Sequence, residues 1–264
     1  MTRAAAARLG AWALVVGTLA FLYLPLVPPV LFSLRIPGES AGGGATLAAY
    51  AALWRNPILT EAMRTSALLA VLTAVVTTPI ALLAAMGVRE LSAPRVVLVL
   101  LLVPLFIPGV SMGLAEAFFF RLLGIAPSLV TILIVHVLWA LPFAFLIILT
   151  AMAGFDIVYL EAAYVLGAGP ARAFLDVELP LIRTGILGAG TFSLILSLNE
   201  TVRTSLVQGP LNTVQTYIWS TYLQVGLSPE LYAIMSLLIG LTLVLIFILP
   251  ALARARPRPA SEER

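Results

Sequence analysis

Glu116, His136 and Glu200 are ionisable side chains set inside, or at the edge of, long apolar runs. Ionisable groups are costly in such surroundings, so they are candidates for an ion or substrate path by default. Glu200 follows Asn199 and stands three residues before Arg203. A carboxylate there can hold an ammonium group, and rings such as Trp219 and Tyr222 can add cation–π attraction. Arg203 competes for the same carboxylate as a plain salt-bridge partner. Glu116 lies five residues before Arg121, so it reads either as a group that attracts a cation or as one solvated at an interface or paired with Arg121. His136, followed by Trp139 and Pro142, reads either as a pore-facing group or as a hydrogen bond between helices.

None of these groups forms an enzyme's set. There is no HExxH and no His cluster, and no Ser–Lys or Asp pair stands within the apolar runs. The chain has no Cys and one His, which excludes disulfides, thiol catalysis and clustered metal ligands, so no metal site is expected. It has fifteen basic residues, all Arg, and no GxxxxGK[ST] loop, so it is not expected to hydrolyse nucleotides itself. The Arg fall in small groups between apolar runs rather than along one stripe, and no nucleic-acid partner is expected.

The elements around these groups are apolar helices. Of 264 residues, 61% are hydrophobic and 10% charged, against about 25% charged in soluble domains. Charge-free runs cover Leu9 to Leu34, Thr65 to Val88, Val96 to Ala115, Leu122 to Phe155 and Leu231 to Ala253. A helix needs about 20 residues to cross the hydrocarbon core. A further run, Thr184 to Asn199, is extended here to about Leu206. The expected fold is an all-α polytopic membrane protein with six spans, about 10–34, 63–87, 96–118, 129–152, 184–206 and 230–252. The first run is too long for a signal-peptide core and is read as a retained span.

Placing both termini inside puts ten Arg on the cytoplasmic side and five (Arg35, Arg55, Arg64, Arg121 and Arg203) outside, as the positive-inside rule favours. The outer segment 35–62 is expected to be flexible over PGESAGGGAT and to form one or two short helices after it, with Tyr50 and Trp54 at the headgroup level. Ser92-Ala93-Pro94 is expected as a tight inner turn and Leu123 to Ser128 as an outer one. Pro210 to Pro229 is an outer loop with a surface helix carrying Tyr217, Trp219 and Tyr222. Pro79, Pro104, Pro108 and Pro142 are candidate kinks, and Gly109 with Gly113 forms a GxxxG packing signal. Residues 253–264 are expected to be a disordered cytoplasmic tail. The whole of 1–264 is read as one transmembrane domain with its core at about 60–252.

One polar interruption, about 153–182, divides the fourth span from the fifth. Ile157 to Leu166 is a good helix former, Gly167-Ala168-Gly169-Pro170 breaks it, and Ala171 to Glu178 forms a second short helix that Pro180 is expected to end. Arg172 and Asp176 share a face four residues apart. Two short helices about a glycine hinge suit a docking element for a soluble partner better than an inert connector.

The residues Glu161-Ala162-Ala163, then Gly167-Ala168 four residues beyond the second Ala, then Leu179-Pro180 with the Pro thirteen beyond the Gly, resemble the EAA loop of binding-protein-dependent ABC importer permeases. TLAAYAALWRNPILTEAMRTSALLAVLTAVVTTPIALLAA resembles the start of that family's permease core, and LLVPLFIPGVSMGLA its third span. SLNETVRTSLVQGP with TVQTYIWSTYLQVGLSPELYAIMSLL looks most like the spermidine/putrescine permeases, with Asn199-Glu200 standing where that subgroup often has an acidic pair.

The resemblance implies the type I, MetI-like fold with both termini cytoplasmic in the bacterial inner membrane. It implies a second and distinct permease chain, an extracytoplasmic binding protein, and a cytoplasmic ATPase dimer that uses ATP and Mg, with no cofactor on this chain. It makes Glu161, Ala162, Ala163, Gly167, Ala168, Leu179 and Pro180 the ATPase-coupling residues, with Gly167 permitting close approach to the partner. The substrate implied is a polyamine. Ferric iron, thiamine and an oxyanion are alternatives within the class, and a secondary transporter is the alternative outside it.

Overall fold

In the computed structural model, residues 3–35, 46–91 and 94–254 are described. All regular structure among them is helical. In chain order the helices are α1 (Arg3–Tyr23), α2 (Val27–Ser33), α3 (Ala48–Leu53), α4 (Pro57–Glu90), α5 (Pro94–Leu102), α6 (Gly109–Leu122), α7 (Leu129–Ala153), α8 (Val158–Val165), α9 (Pro170–Ala173), α10 (Leu179–Asn199), α11 (Val202–Val207), α12 (Val214–Val225) and α13 (Pro229–Arg254). Most of the flexible outer segment, the Ser92-Ala93 turn and nearly all of the tail expected over 253–264 lie outside the described residues.

Five helices are long and apolar enough to cross a membrane, and six spans result if α5 and α6 count as one. The chain is thus a multi-pass membrane protein. A short 3-10 turn, Leu24–Leu26, joins α1 to α2 within the first span, where Pro25 and Pro28 interrupt the hydrogen-bond ladder.

The third span is not the straight helix expected over 96–118. It bends by 101° between Arg95–Phe106 and Gly109–Leu122. The cause is local. Pro108 pushes the residue before it out of the helical region, and Ile107 is extended at φ −82, ψ 127. Pro104 tightens the preceding turn, Val103–Phe106, into 3-10 geometry.

The fifth span also departs from expectation at both ends. It was placed at 184–206, with Pro180 ending the helix before it. Instead, one helix runs from Pro170 to Asn199, and Pro180 lies within its continuous length. A proline ring clashes with the carbonyl four residues back and removes one ladder bond. Here the turn just before it, Phe174–Glu178, is widened into a π-helix, which accommodates both effects. At the far end the helix stops at Asn199, because Glu200 is extended at φ −83, ψ 118, and α11 restarts at Val202.

The chain falls into two compact units. In the first, Met1–Thr60 with Thr221–Leu241, Ser33 bonds Tyr50 at 2.8 Å and Phe32 packs on Tyr232 at 5.3 Å between ring centroids. The second, Glu61–Ser220 with Thr242–Arg264, holds both candidate sites. Its main core joins α4, α7 and α10 through small and large side chains together: Ala81, Ala85, Ala144, Phe145, Ile148 and Ala189 are fully buried. Small residues let helix backbones approach closely, which drives packing where lipid supplies no hydrophobic contrast. A Cβ added at Gly185 would lie 2.3 Å from Ala151 Cβ. Gly185→Ala is therefore expected to force α10 off α7 and cost about 1–3 kcal/mol, read as a lowered apparent Tm of the detergent-purified protein. An unchanged Tm would show that this contact relaxes freely.

Candidate functional site: an exposed loop and a buried ion cluster

The loop begins after α7 ends at Gly154. Asp156 Oδ1 accepts the Val158 N–H at 3.1 Å and starts α8. Leu160 and Ala163 turn inward and pack on Ala173, with Phe155, Ala168 and Val177 closing round them. Glu161, Ala162 and Tyr164 face outward, and Val165 and Leu166 are each 87% exposed. The EAA sequence thus divides by face: its second alanine fastens α8 to α9, while its glutamate and first alanine remain available to a partner.

Gly167 closes α8 with a Schellman cap. Its N–H donates to Tyr164 O at 2.9 Å, and the Ala168 N–H donates to Ala163 O at 3.0 Å. This geometry requires the left-handed φ of +87 found at Gly167. A Cβ built there meets nothing within 4 Å inside the chain. The requirement for glycine that the chain itself imposes is therefore conformational, the left-handed backbone that a glycine break permits.

Leu179 is half-buried and Pro180 exposed at the foot of α10. Between them and α9 stands Glu178, 1% exposed, whose two carboxylate oxygens accept from Nη1 and Nη2 of Arg89 at the end of α4. Arg172 and Asp176 do pair at 3.2 Å on the exposed face, where such a pair contributes little.

The second site lies at the break between α10 and α11. Glu200 Oε1 accepts the backbone N–H of Arg203 at 2.9 Å, and Oε2 accepts from Arg203 Nη1 at 2.7 Å. The first of these bonds caps α11 and explains why the helix cannot run straight through: the side chain competes with the ladder for the backbone donor. The Arg203 guanidinium lies 3.9 Å over the centre of the Trp139 ring on α7. Both charged side chains are buried.

Gly113 of the GxxxG pair lets α6 close on α11: a Cβ there would be 2.8 Å from Leu206 Cδ1 and 3.1 Å from Arg203 Cα. That packing carries Glu116 inward. Glu116 is buried, not solvated at an interface, and it makes no ion pair with Arg121 among the described residues. Its Oε2 has no hydrogen-bond partner among the described residues.

His136 meets Ser197 Oγ at 2.7 Å through Nδ1 and Thr204 Oγ1 at 2.8 Å through Nε2. Thr204 Oγ1 in turn contacts Glu200 O at 3.1 Å, and Ser197 Oγ accepts from Thr73 Oγ1 at 3.4 Å. With both ring nitrogens engaged, His136 ties α7 to α10 and α11, which is the helix–helix role among the two weighed from sequence. Asn199 is exposed, with its amide donating to Ile195 O at 2.9 Å. Trp219 and Tyr222 lie on α12, each about half exposed. The ring stacked on the cluster's guanidinium is Trp139, which stood in the sequence three residues after His136 without a role of its own.

Against known structures, the chain superposes on a permease chain of a bacterial alginate ABC transporter solved with its alginate-bound periplasmic protein. The TM-score is 0.70 with 17% identity, over 95% of this chain and 93% of that one. An amino acid ABC transporter gives a TM-score of 0.61 with 17% identity, over 79% of this chain and 99% of that one. The chain has the type I ABC importer permease fold. By sequence the chain is 28% identical over 242 residues to the spermidine/putrescine transport system permease protein PotC of Escherichia coli K12, covering 90% of the chain and 92% of the relative. The PotC of Haemophilus influenzae is 25% identical over 238 residues, and the putrescine permease PotI of E. coli K12 is 29% identical over 151. No protein-family model matches the chain.

Two features of these sites were not singled out from sequence. The Arg89–Glu178 pair joins residues 89 positions apart, and only its nearness to Leu179-Pro180 pointed toward it. The Ser197 and Thr204 partners of His136 are ordinary helix hydroxyls whose role depends on the fold.

Proposed function

We propose that this chain is the membrane-spanning permease subunit of an ATP-binding cassette importer, forming half of the translocation path and carrying polyamines such as spermidine or putrescine. The observation that carries the reading is the outward face of α8, bearing Glu161, Ala162, Val165 and Leu166 on a helix packed from its other side against α9 and the π turn. Large apolar side chains held out on a rigid element mark a contact surface. Coupling also needs a stiff connection between an engine and the spans. The loop is continuous through the π turn with α10, whose far end carries Asn199 and adjoins Glu200.

In this mechanism a cytoplasmic ATPase dimer binds ATP and Mg, closes, and moves α8. The spans then open outward to an extracytoplasmic binding protein, and hydrolysis resets them. This chain binds no cofactor and performs no catalysis. A second, distinct permease chain completes the pore. Both termini and the α8–α9 loop lie in the cytoplasm of a bacterium, and the spans cross its inner membrane. The polyamine reading rests on likeness to the PotC and PotI proteins along with the buried carboxylates Glu116 and Glu200. The alternatives in the class are ferric iron, thiamine and oxyanions.

The test is ATP-dependent uptake into proteoliposomes holding the complete transporter and its binding protein. Spermidine or putrescine uptake is expected. Uptake of thiamine, ferric iron or sulfate without either polyamine would overturn the substrate assignment while leaving the importer.

A further inference from the structure

The ion cluster at the α10–α11 break has the parts of an ammonium-binding seat, and the seat is already filled. A buried carboxylate beside an aromatic ring is the pair an organic cation seeks, and here a guanidinium is bonded to the one and stacked on the other. The occupant is Arg203 of the same chain. Beside it, Glu116 presents a buried oxygen without a hydrogen-bond partner among the described residues. Glu116 stands one helical turn from Gly113, which packs on the backbone of Arg203, so two buried carboxylates and one buried guanidinium share this part of the fold.

We propose that Arg203 is a resident cation that polyamine ammonium groups displace in transit. Resting on the polyamine reading above, the sequence is an exchange of ion partners: an ammonium takes Glu116 Oε2, then replaces Arg203 at Glu200 over Trp139. On its Gly109 side the guanidinium meets backbone without a side chain, since a Cβ there would stand 3.5–3.7 Å away, in ordinary van der Waals contact. Arg203 is carried by α11, only six residues long and set off from α10 by the extended Glu200. His136 does not compete, since hydroxyls take both its nitrogens.

The exchange has a physical purpose. A buried carboxylate without a counter-charge is costly, so an empty path lined by two would be unstable or would hold a polycation too firmly to release it. A tethered guanidinium stabilises the empty state and competes with the substrate for exit.

The test uses the complete transporter. Equilibrium binding of labelled spermidine is measured in detergent without the binding protein. Uptake is measured in proteoliposomes with it. Arg203→Gln is expected to bind spermidine at least about tenfold more tightly, the scale on which close buried charges couple, while its uptake slows several-fold because release is slowed. Glu116→Gln is expected to lose most of the binding in either background. An Arg203→Gln transporter that assembles and binds spermidine no more tightly than wild type overturns the proposal alone. If Arg203→Gln does not assemble, Glu116→Gln decides: lost binding supports the seat and unchanged binding overturns it. A wild-type transporter that carries another substrate but neither polyamine overturns the polyamine reading, and this inference with it.

Discussion

Gly167→Val is expected to reduce binding-protein-stimulated ATPase activity and uptake at least about tenfold while the spans stay folded. Gly167 sits at φ +87, where an L side chain costs about 1–2 kcal/mol. That cost is too small to unfold a protein whose main core lies along α4, α7 and α10. It is large enough to unwind the cap made by Gly167 and Ala168, and so to change the direction in which Val165 and Leu166 point. Asparagine separates this cause from a steric one. Asn tolerates the left-handed region far better than a β-branched residue of similar bulk such as Val. If the backbone conformation matters, Gly167→Asn keeps much of the activity and Gly167→Val little. If close approach of a partner is what matters, the two fail alike. Activity is measured in the reconstituted complex with liganded binding protein, beside the basal rate of the ATPase alone.

The second large effect is expected at Arg89. Replacing it with Met leaves the Glu178 carboxylate buried and without its bidentate partner, a loss of about 3–5 kcal/mol where one half of a buried pair is removed. Glu178→Gln is expected to cost less. It keeps a hydrogen-bond acceptor for Arg89, which is 31% exposed in its side chain and also within 3.6 Å of Glu90. The double replacement Arg89→Met with Glu178→Leu should recover much of the loss, since apolar isosteres often match a buried pair. Apparent Tm and the yield of assembled transporter read this order. Equal losses for the two single variants would mean that the pair is not buried as described.

Much of the fold is legible from charge-free length alone, because a lipid-crossing helix must avoid uncompensated charge over about 20 residues. The starts of α7 and α13 fall within one residue of their expected positions on that basis. The failures come where one side chain overrules the pattern. Pro108 was visible as a candidate kink, but not a bend of 101°. Glu200 was visible as a polar residue in an apolar stretch, but not as the cap that ends α10 and starts α11.

Side-chain partners were the least legible. Sequence distance made Arg121 the natural neighbour of Glu116, whereas helix packing at Gly113 brings it toward Arg203 instead. The loop was the reverse case. Its residues were legible through their spacing, yet only the fold distinguishes Ala163, which binds α8 to the protein, from Ala162, which faces out.

The central claim is that the outward face of α8 docks on a cytoplasmic ATPase. Because the chain has no Cys, an introduced thiol is its single labelling site. The most direct measurement attaches a benzophenone to Leu166→Cys in the assembled transporter, irradiates it, and identifies the chain that receives the cross-link. A second sample labelled at Ile125→Cys, in the turn between α6 and α7, is the control. Transfer from position 166 to the ATPase, with none from position 125, is the result this account predicts. An assembled transporter in which position 166 yields no ATPase adduct, or position 125 does, would contradict it.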